Sequence, residues 1–313
     1  MIMRPYAGDA DLPLIADLIR AAPPTSRHLV DFPWRLSSPA LQSASDVHLW
    51  ATPDGTLVGF AAWQIWWATL DVYVRPGPYR GEVEAAIFAW AAGRFRALDA
   101  ERGHPLPYWV EARADDDERL ALLARHGYTL DGADAYVMLG RPLAGPLPRP
   151  DLPPGFAIRP LAGAGEVEAY VETHRRAFAS ASMTAPWRAR TLRMPHYEPE
   201  LDLVAVAPDG HLAGFCIGWA APERRVAQIE PIGVDPAFQG RGLGRALLLA
   251  MLARFTAYGA AHAQVETDSG RTPALTAYGS VGLLPRYRSL RKGQWFSRHD
   301  DDQEEGAGYS ENA

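Results

Sequence analysis

The chain carries a copy of itself. Met3-Arg4-Pro5 returns as Ile158-Arg159-Pro160, and Asp54-Gly55-Thr56-Leu57-Val58-Gly59-Phe60 returns as Asp209-Gly210-His211-Leu212-Ala213-Gly214-Phe215. Val110-Glu111 returns as Val265-Glu266, and Gly127 as Gly282, all at one offset of 155 residues. Chance matches scatter over many offsets, so a single offset means two copies of one fold, with a period far too long for a solenoid unit. The length of 313 residues suits two domains of ordinary size. Between the copies, Arg141 to Gly155 holds six prolines and no apolar periodicity, which predicts a stiff, extended linker. The expected division is therefore 1–140, a linker at 141–155, a second copy at 156–297 and an acidic tail at 298–313. The run Asp300-Asp301-Asp302-Gln303-Glu304-Glu305 predicts that this tail is solvated and disordered.

Composition narrows the function class. A content of 48% hydrophobic and 22% charged residues is that of a soluble globular protein. The net charge is −6 and no Lys/Arg block occurs, which argues against a nucleic-acid partner. No run of about 18 apolar residues predicts a membrane span. Met1-Ile2-Met3-Arg4-Pro5-Tyr6 has no export signal, so a cytoplasmic protein is expected. Cys216 has no second cysteine to pair with, and between Phe215 and Ile217 it reads as a small core residue. The nine histidines show no HxxxH or HExxH spacing, so no metal is expected. The oligomeric state is not set by anything in the sequence.

Each copy reads in the same order, clearest in the second. A short strand near Ile158 precedes a helix from Glu166 to Phe178. Two strands, Leu203–Ala207 and Leu212–Trp219, flank an Asp-Gly turn, a strong hairpin signal. A strand at Val226–Val234 runs into a Gly-rich loop and a helix from about Leu243 to Tyr258. A strand at His262–Thr267 follows, then a short helix with Thr272 as N-cap and Pro273 in its first turn. The last strand lies near Arg286–Trp295. Antiparallel hairpins joined to a strand–helix–strand unit predict an α/β (α+β) fold: two tandem domains, each a mostly antiparallel twisted sheet with helices on both faces.

Chemistry concentrates in Glu230-Pro231-Ile232-Gly233-Val234-Asp235-Pro236-Ala237-Phe238-Gln239-Gly240-Arg241-Gly242-Leu243-Gly244-Arg245. Gly240, Gly242 and Gly244 alternate where a strand gives way to a helix. Glycines there let the backbone approach a ligand, and the helix start aims free N–H groups and a positive dipole end outward. Arg241 and Arg245 add cationic side chains. A phosphate or pyrophosphate is the ligand this suits, although a purely structural turn uses the same residues. The Walker and dinucleotide patterns both fail because position 245 is Arg.

The segment resembles motif A of the GNAT N-acetyltransferase superfamily, Gln/Arg-x-x-Gly-x-Gly/Ala, here Gln239-Gly240-Arg241-Gly242-Leu243-Gly244 after Val234-Asp235-Pro236. Ala274-Leu275-Thr276-Ala277-Tyr278-Gly279-Ser280-Val281-Gly282-Leu283 is similar to that family's Ala-x-x-x-Tyr-x-x-x-Gly-Phe segment, with Leu283 replacing Phe. The resemblance spans about 157 to 297 and implies a GNAT-like fold and acetyl transfer from acetyl-CoA to an amine, with no metal. It implies that backbone groups of Ile232, Gly233 and Val234 meet the pantetheine arm. It also implies that the amides from Gln239 to Gly244, with Arg245, hold the pyrophosphate, and that a strand bulge lies near Glu230 and Pro231. Tyr278 matches the tyrosine placed by the thioester sulfur and becomes the candidate acid for the leaving thiolate. Glu230 is the candidate base for the protonated amine, acting through water. A packed helix aromatic and a structural ion pair are the respective alternatives. Gln228, on the same strand face as Glu230, could only orient an acceptor.

The acceptor expected is a small-molecule amine. His196, Tyr197, Arg175, Arg176, Trp187 and Arg190 lie where such a pocket could form, although a solvated face is the simpler reading. The first copy lacks the chemistry. Its loop reads Val74-Arg75-Pro76-Gly77-Pro78-Tyr79-Arg80-Gly81-Glu82-Val83-Glu84, where Glu82 and Glu84 repel phosphate, and Leu123 stands where Tyr278 would. A degenerate, structural or acceptor-shaping half is expected. Trp63-Gln64-Ile65-Trp66-Trp67 reads as packing between halves, or otherwise as an aromatic acceptor wall. Two other functions stay open: a CoA-binding sensor or partner-binding module without turnover, and an acyltransferase using a longer acyl chain or a protein amine.

Overall fold

The computed structural model describes residues 1–39, 43, 45–102 and 108–294. The predicted tail at 298–313 and Trp295 lie outside them. The first half runs β1 (Ile2–Pro5), α1 (Leu12–Ala21), α2 (Phe32–Leu36), β2 (Val47–Ala51), β3 (Leu57–Gln64), β4 (Thr69–Val74), α3 (Arg80–Arg102), β5 (Tyr108–Arg113), α4 (Asp117–Arg125) and β6 (Thr129–Pro142). The second runs β7 (Ala157–Pro160), α5 (Val167–Phe178), α6 (Ala185–Thr191), β8 (Asp202–Val206), β9 (Leu212–Ala221), β10 (Val226–Val234), α7 (Leu243–Ala257), β11 (His262–Asp268), α8 (Thr272–Gly279) and β12 (Leu284–Gln294). Arg141 and Pro142, read above as linker, close β6. Thr272 opens α8 instead of capping it: Arg271 holds the cap position without a side-chain bond.

The repeat is visible in the turns. Gly55 and Gly210 take φ of +87° and +89°, a region open to glycine at little cost. In each turn the preceding aspartate accepts from the backbone two residues on, Asp54 from Thr56 at 3.2 Å and Asp209 from His211 at 3.1 Å.

Among the described residues the strands form one sheet in the order β1-β2-β3-β4-β5-β12-β6-β11-β10-β9-β8-β7. The last strand of each half has crossed over: β12 pairs with β5, β6 pairs with β11, and β12 and β6 pair at the centre. The repeat signal alone placed each copy's last strand in its own sheet. Among the described residues only the β4–β5 and β10–β11 pairs are parallel. Alternation along the strands buries both sheet faces. In the second half Leu203, Cys216 and Ile229 meet α7, while Val204, Phe215 and Ile217 meet α5. The segments after α1 and α5 cross the seam in reciprocal fashion. Val30 and Trp34 join the second half's core, and Met194 joins the first half's. Trp187 Nε1 donates to Ser37 Oγ at 2.9 Å in the same seam.

Because neither half owns all the strands of its own sheet, the halves should unfold together. Differential scanning calorimetry of the intact chain is expected to show one cooperative transition. Two resolved transitions, one per half, would contradict the exchange.

Candidate active site

The site starts where β10 and β11 part. They pair over four residues, Val226–Ile229 against His262–Val265. Beyond Ile229, β10 stays with β9 through a bulge that takes its register from Ile229↔Gly218 to Ile232↔Cys216. Meanwhile β11 stays with β6 as far as Asp268↔Tyr136. The extra residue lies at Glu230-Pro231, and Pro231 has no N–H to lose from a ladder. The β11-facing backbone of Glu230 to Val234 is therefore without a strand partner; the Glu230 carbonyl accepts from Trp219 Nε1 at 2.6 Å and the Val234 carbonyl from Gln239 Nε2 at 3.1 Å, and the other groups there need partners from elsewhere. Gly233 makes this edge thin: a Cβ there would stand 2.6 Å from the Phe215 ring.

The Gly-rich loop follows at once. Asp235 caps its first turn, accepting from the Ala237 amide at 2.9 Å and pairing with Arg176. Gly240 and Gly242 have φ of +74° and +81°, so conformation, more than space, requires glycine there. The first bond of α7 runs from the Ala246 amide to the Gly242 carbonyl at 3.0 Å. Ahead of it, the amides from Gly240 to Arg245 find no acceptor among the described residues. Left-handed glycines at 240 and 242 ahead of a 15-residue helix leave a set of free donors suited to an anion.

Two cavities meet at this point. One, of about 440 Å³, is lined by Ile232, Gly233, Val234, Gln239, Gly240, Gly242, Leu243, Gly244 and Arg245, with Tyr278. Of the expected loop residues only Arg241 is not in its wall. Arg241 leans over the Phe238 ring, 5.6 Å from its centroid. The other cavity, of about 680 Å³, is lined by Glu230, Glu266 and Asp268 from the second half and by His28, Asp31, Trp34, Arg35, Trp67, Glu111 and Tyr136 from the first. Phe178, Ile232, Arg271 and Tyr278 line both.

Tyr278 is 7% exposed, and its hydroxyl has no protein partner among the described residues. Burial and the nearby Glu230 raise its pKa, so it keeps its proton. Glu230 is half-buried with no ion-pair partner among the described residues. Burial, helped by the charges of Asp31 and Glu266, pushes it up to about 8. Between them these groups offer a proton donor and a proton acceptor poised near neutrality.

Behind the cavity lies a buried charge cluster that spans the seam. Arg27 clasps both Glu266 and Glu111, the latter at 3.0 Å. His28 bonds Asp31 at 3.0 Å through Nδ1 and Glu111 at 3.1 Å through Nε2. Burial and the nearby Arg35 oppose a charge on His28, but the Asp31 carboxylate prevails and raises it to about 9. Glu111 is held far below the usual carboxylate range: burial opposes this, and the His28 bond and Arg27 outweigh it. Arg35 pairs with Asp71 at 2.7 Å and stacks 4.8 Å from the Trp67 ring.

Sequence reasoning missed this wall. Its signals were the Val110-Glu111 and Val265-Glu266 repeat anchors, whose carboxylates share Arg27, and Trp67, which lies in the cavity wall. Trp63 instead packs in the core against Phe95 and Tyr108. Gln228 is not in the cavity wall but accepts from Gln264 at 2.7 Å. Of the other candidates, Trp187 is buried in the seam, Tyr197 donates to Asp202, Arg175 binds the Met183 carbonyl, Arg176 holds Asp235, Arg190 reaches Tyr6, and His196 lines a small separate pocket. Cys216 is fully buried, which raises its thiol pKa.

The first half keeps the parting strands but not the space. β4 and β5 share only the Thr69↔Trp109 pair, and the cavity beside them is about 80 Å³. Arg80, pairing with Glu84 at 3.1 Å and with Glu118 at 2.7 Å, lies in its wall. Leu123 is buried in the core.

With this geometry in view, comparisons with known proteins converge. Residues 167–283 match the model of the Acetyltransferase (GNAT) family. A mycothiol acetyltransferase of Salinispora tropica is 31% identical over 88% of this chain and 86% of its own length. One of Salinispora arenicola is 33% identical over 60% of this chain, and that alignment spans 62% of the relative. The crystal structure of a GCN5-related N-acetyltransferase from Sphaerobacter thermophilus, 25% identical, covers 94% of this chain and 95% of that one with a TM-score of 0.62. The chain belongs to the GNAT acetyltransferase family. It is an N-acetyltransferase built from two tandem GNAT-like halves.

A ligand that binds only the folded state raises its melting temperature by mass action. Acetyl-CoA is expected to do so here. Gly242→Asp, which adds negative charge to the anion cradle, is expected to abolish the shift. An unchanged shift in that variant would detach the loop from cofactor binding.

Proposed function

We propose that the enzyme transfers the acetyl group of acetyl-CoA to the primary amine of a small molecule, at one site, in the second half. Residues 156–297 carry that site and 1–140 form the degenerate half, joined through 141–155. The reading places the enzyme in the cytoplasm, where acetyl-CoA is supplied. The observation that carries it is Tyr278 standing in the wall common to both cavities, with Glu230 across the larger one. The loop cavity suits the donor: amides from Gln239 to Gly244 and the Arg245 side chain would hold the pyrophosphate, and the open edge at Ile232, Gly233 and Val234 would bond the pantetheine amides. The larger cavity suits the acceptor. Its enclosure by both halves favours a small molecule, in keeping with the small-molecule name carried by the relatives.

The chemistry needs three proton transfers. An alkyl amine with a pKa near ~10 arrives protonated and cannot attack. Glu230 takes that proton, directly or through one water, and the freed nitrogen bonds to the thioester carbonyl carbon. As the carbon–sulfur bond breaks, Tyr278 gives its phenolic proton to the departing sulfur. The nitrogen of the adduct sheds its second proton, which returns through water to the Tyr278 phenolate, and an acetamide and a free thiol leave.

Tyr278→Phe keeps the ring and its packing but has no proton to give. Turnover is expected to fall by roughly 10²–10⁴-fold, the usual share of general acid catalysis, with acetyl-CoA affinity changed only a few fold. Near wild-type turnover on a verified acceptor would make Tyr278 a packing residue. Glu230→Gln is expected instead to remove the low-pH limb of the rate profile. Calorimetric titration is expected to count one CoA per chain, and two equivalent sites would overturn the reading of the first half.

A further inference from the structure

Glu230 and Glu266 are neighbours across the gap. Each directly follows the last residue at which β10 and β11 pair, Ile229 and Val265, and both line the larger cavity. Only one of them is free. Glu266 is 8% exposed and fixed through both oxygens to Arg27, which reaches it from the other half. Glu230 has no ion-pair partner among the described residues. We propose that Glu266, clamped by Arg27, is a positioning residue that sets the charge state of Glu230 by presenting a fixed carboxylate where the two strands part.

The proposal rests on the reading of Glu230 as base, a group whose proton is held above the ordinary carboxyl value chiefly by burial, with the charges of Asp31 and Glu266 adding to it. A like charge nearby disfavours ionisation, an opposite one favours it. From β11, Glu266 opposes ionisation, and from the segment ending in α2 so does Asp31. His28 and Arg35 of that same segment act the other way. Glu111 of β5 is already paired with Arg27 and His28, and Tyr136 of β6 accepts from Arg291 at 2.9 Å. Tyr278 of α8 keeps its proton, and Arg271 at the cavity rim is exposed. Of the two opposing carboxylates, Asp31 is held through one oxygen by His28, whereas Glu266 is clamped through both by Arg27, a residue of the half that lacks the chemistry. The first half thus acts on proton transfer through one guanidinium.

Two readouts on Glu266→Gln test this. In the rate profile, the midpoint of the low-pH limb is expected to fall by about one unit, so that turnover at a pH below the midpoint rises toward tenfold relative to each enzyme's own plateau. The second readout needs no turnover. Glu230 in the folded chain keeps its proton up to about 8, whereas the unfolded carboxyl loses it near 4.5. Folding therefore weakens as pH rises through that window, and Glu230→Gln escapes the loss. With Glu266 in place, the melting-temperature advantage of Glu230→Gln should grow from pH 5 to 8. In the Glu266→Gln background it should level off at lower pH. An unmoved levelling-off point overturns the proposal, even if Glu266→Gln is slow. If Glu230→Gln keeps its low-pH limb, the base assignment fails instead, while the melting cycle still decides the coupling. Should Glu266→Gln not fold, Arg27→Gln/Glu266→Gln is read in the same way, with a smaller downward shift expected and no shift overturning the proposal.

Discussion

Strands β10 and β11 stay together for four residues and then part, and the rest of the site follows from that divergence. The bulge at Glu230-Pro231 keeps β10 with β9 while β11 turns toward β6. Backbone groups that a sheet would normally consume are left facing a gap at the carboxyl ends of two parallel strands, where open α/β sheets place their ligands. The next residues form the anion cradle, so strand edge and loop make one continuous surface. Tyr278 enters from α8 on the far side of the gap. The two cavities meet there, along Phe178, Ile232, Arg271 and Tyr278.

The strand exchange supplies what the gap alone could not. With β6 against β11, the first half is anchored beside the parting strands, and His28, Asp31, Trp34 and Arg35 become a cavity wall. That wall has a cost, because its charges are buried. Arg27 between Glu111 and Glu266, and His28 between Asp31 and Glu111, are tolerated because each charge has an opposite partner within hydrogen-bond reach. Removing one member of such a pair typically costs about 3–5 kcal/mol, because the partner is left buried and alone. The first half has little space beside its own parting strands, but its part of this cluster cannot be lost without disturbing a cavity wall shared with the second half.

What was legible in the sequence was local. The Asp-Gly hairpins, the loop with its alternating glycines, and the extents of β10 and α7 follow from turn chemistry and periodicity within a few residues. Long-range pairing was not legible: the repeat predicts two copies of a sheet, and nothing in it says that the final strands change places. Gln228 lies where β10 and β11 are still paired, before the strands part, and it meets Gln264 instead of the cavity. Candidates around His196 and Trp187 were sought in the half that holds the loop, whereas the cavity wall comes from the equivalent segment of the other half. Glu111 and Glu266 were visible as repeat anchors. Their meaning depended on Arg27, which has no counterpart in the pattern.

The central claim is that one donor site, built on the β10 edge and the following loop, serves the whole chain. Amide hydrogen exchange with and without acetyl-CoA tests it residue by residue. Slowed exchange is expected at Ile232 to Val234 and Gly240 to Arg245, with no change in the first-half segment from Val74 to Glu84. Protection in the first-half segment, or none at Gly240 to Arg245, would contradict it.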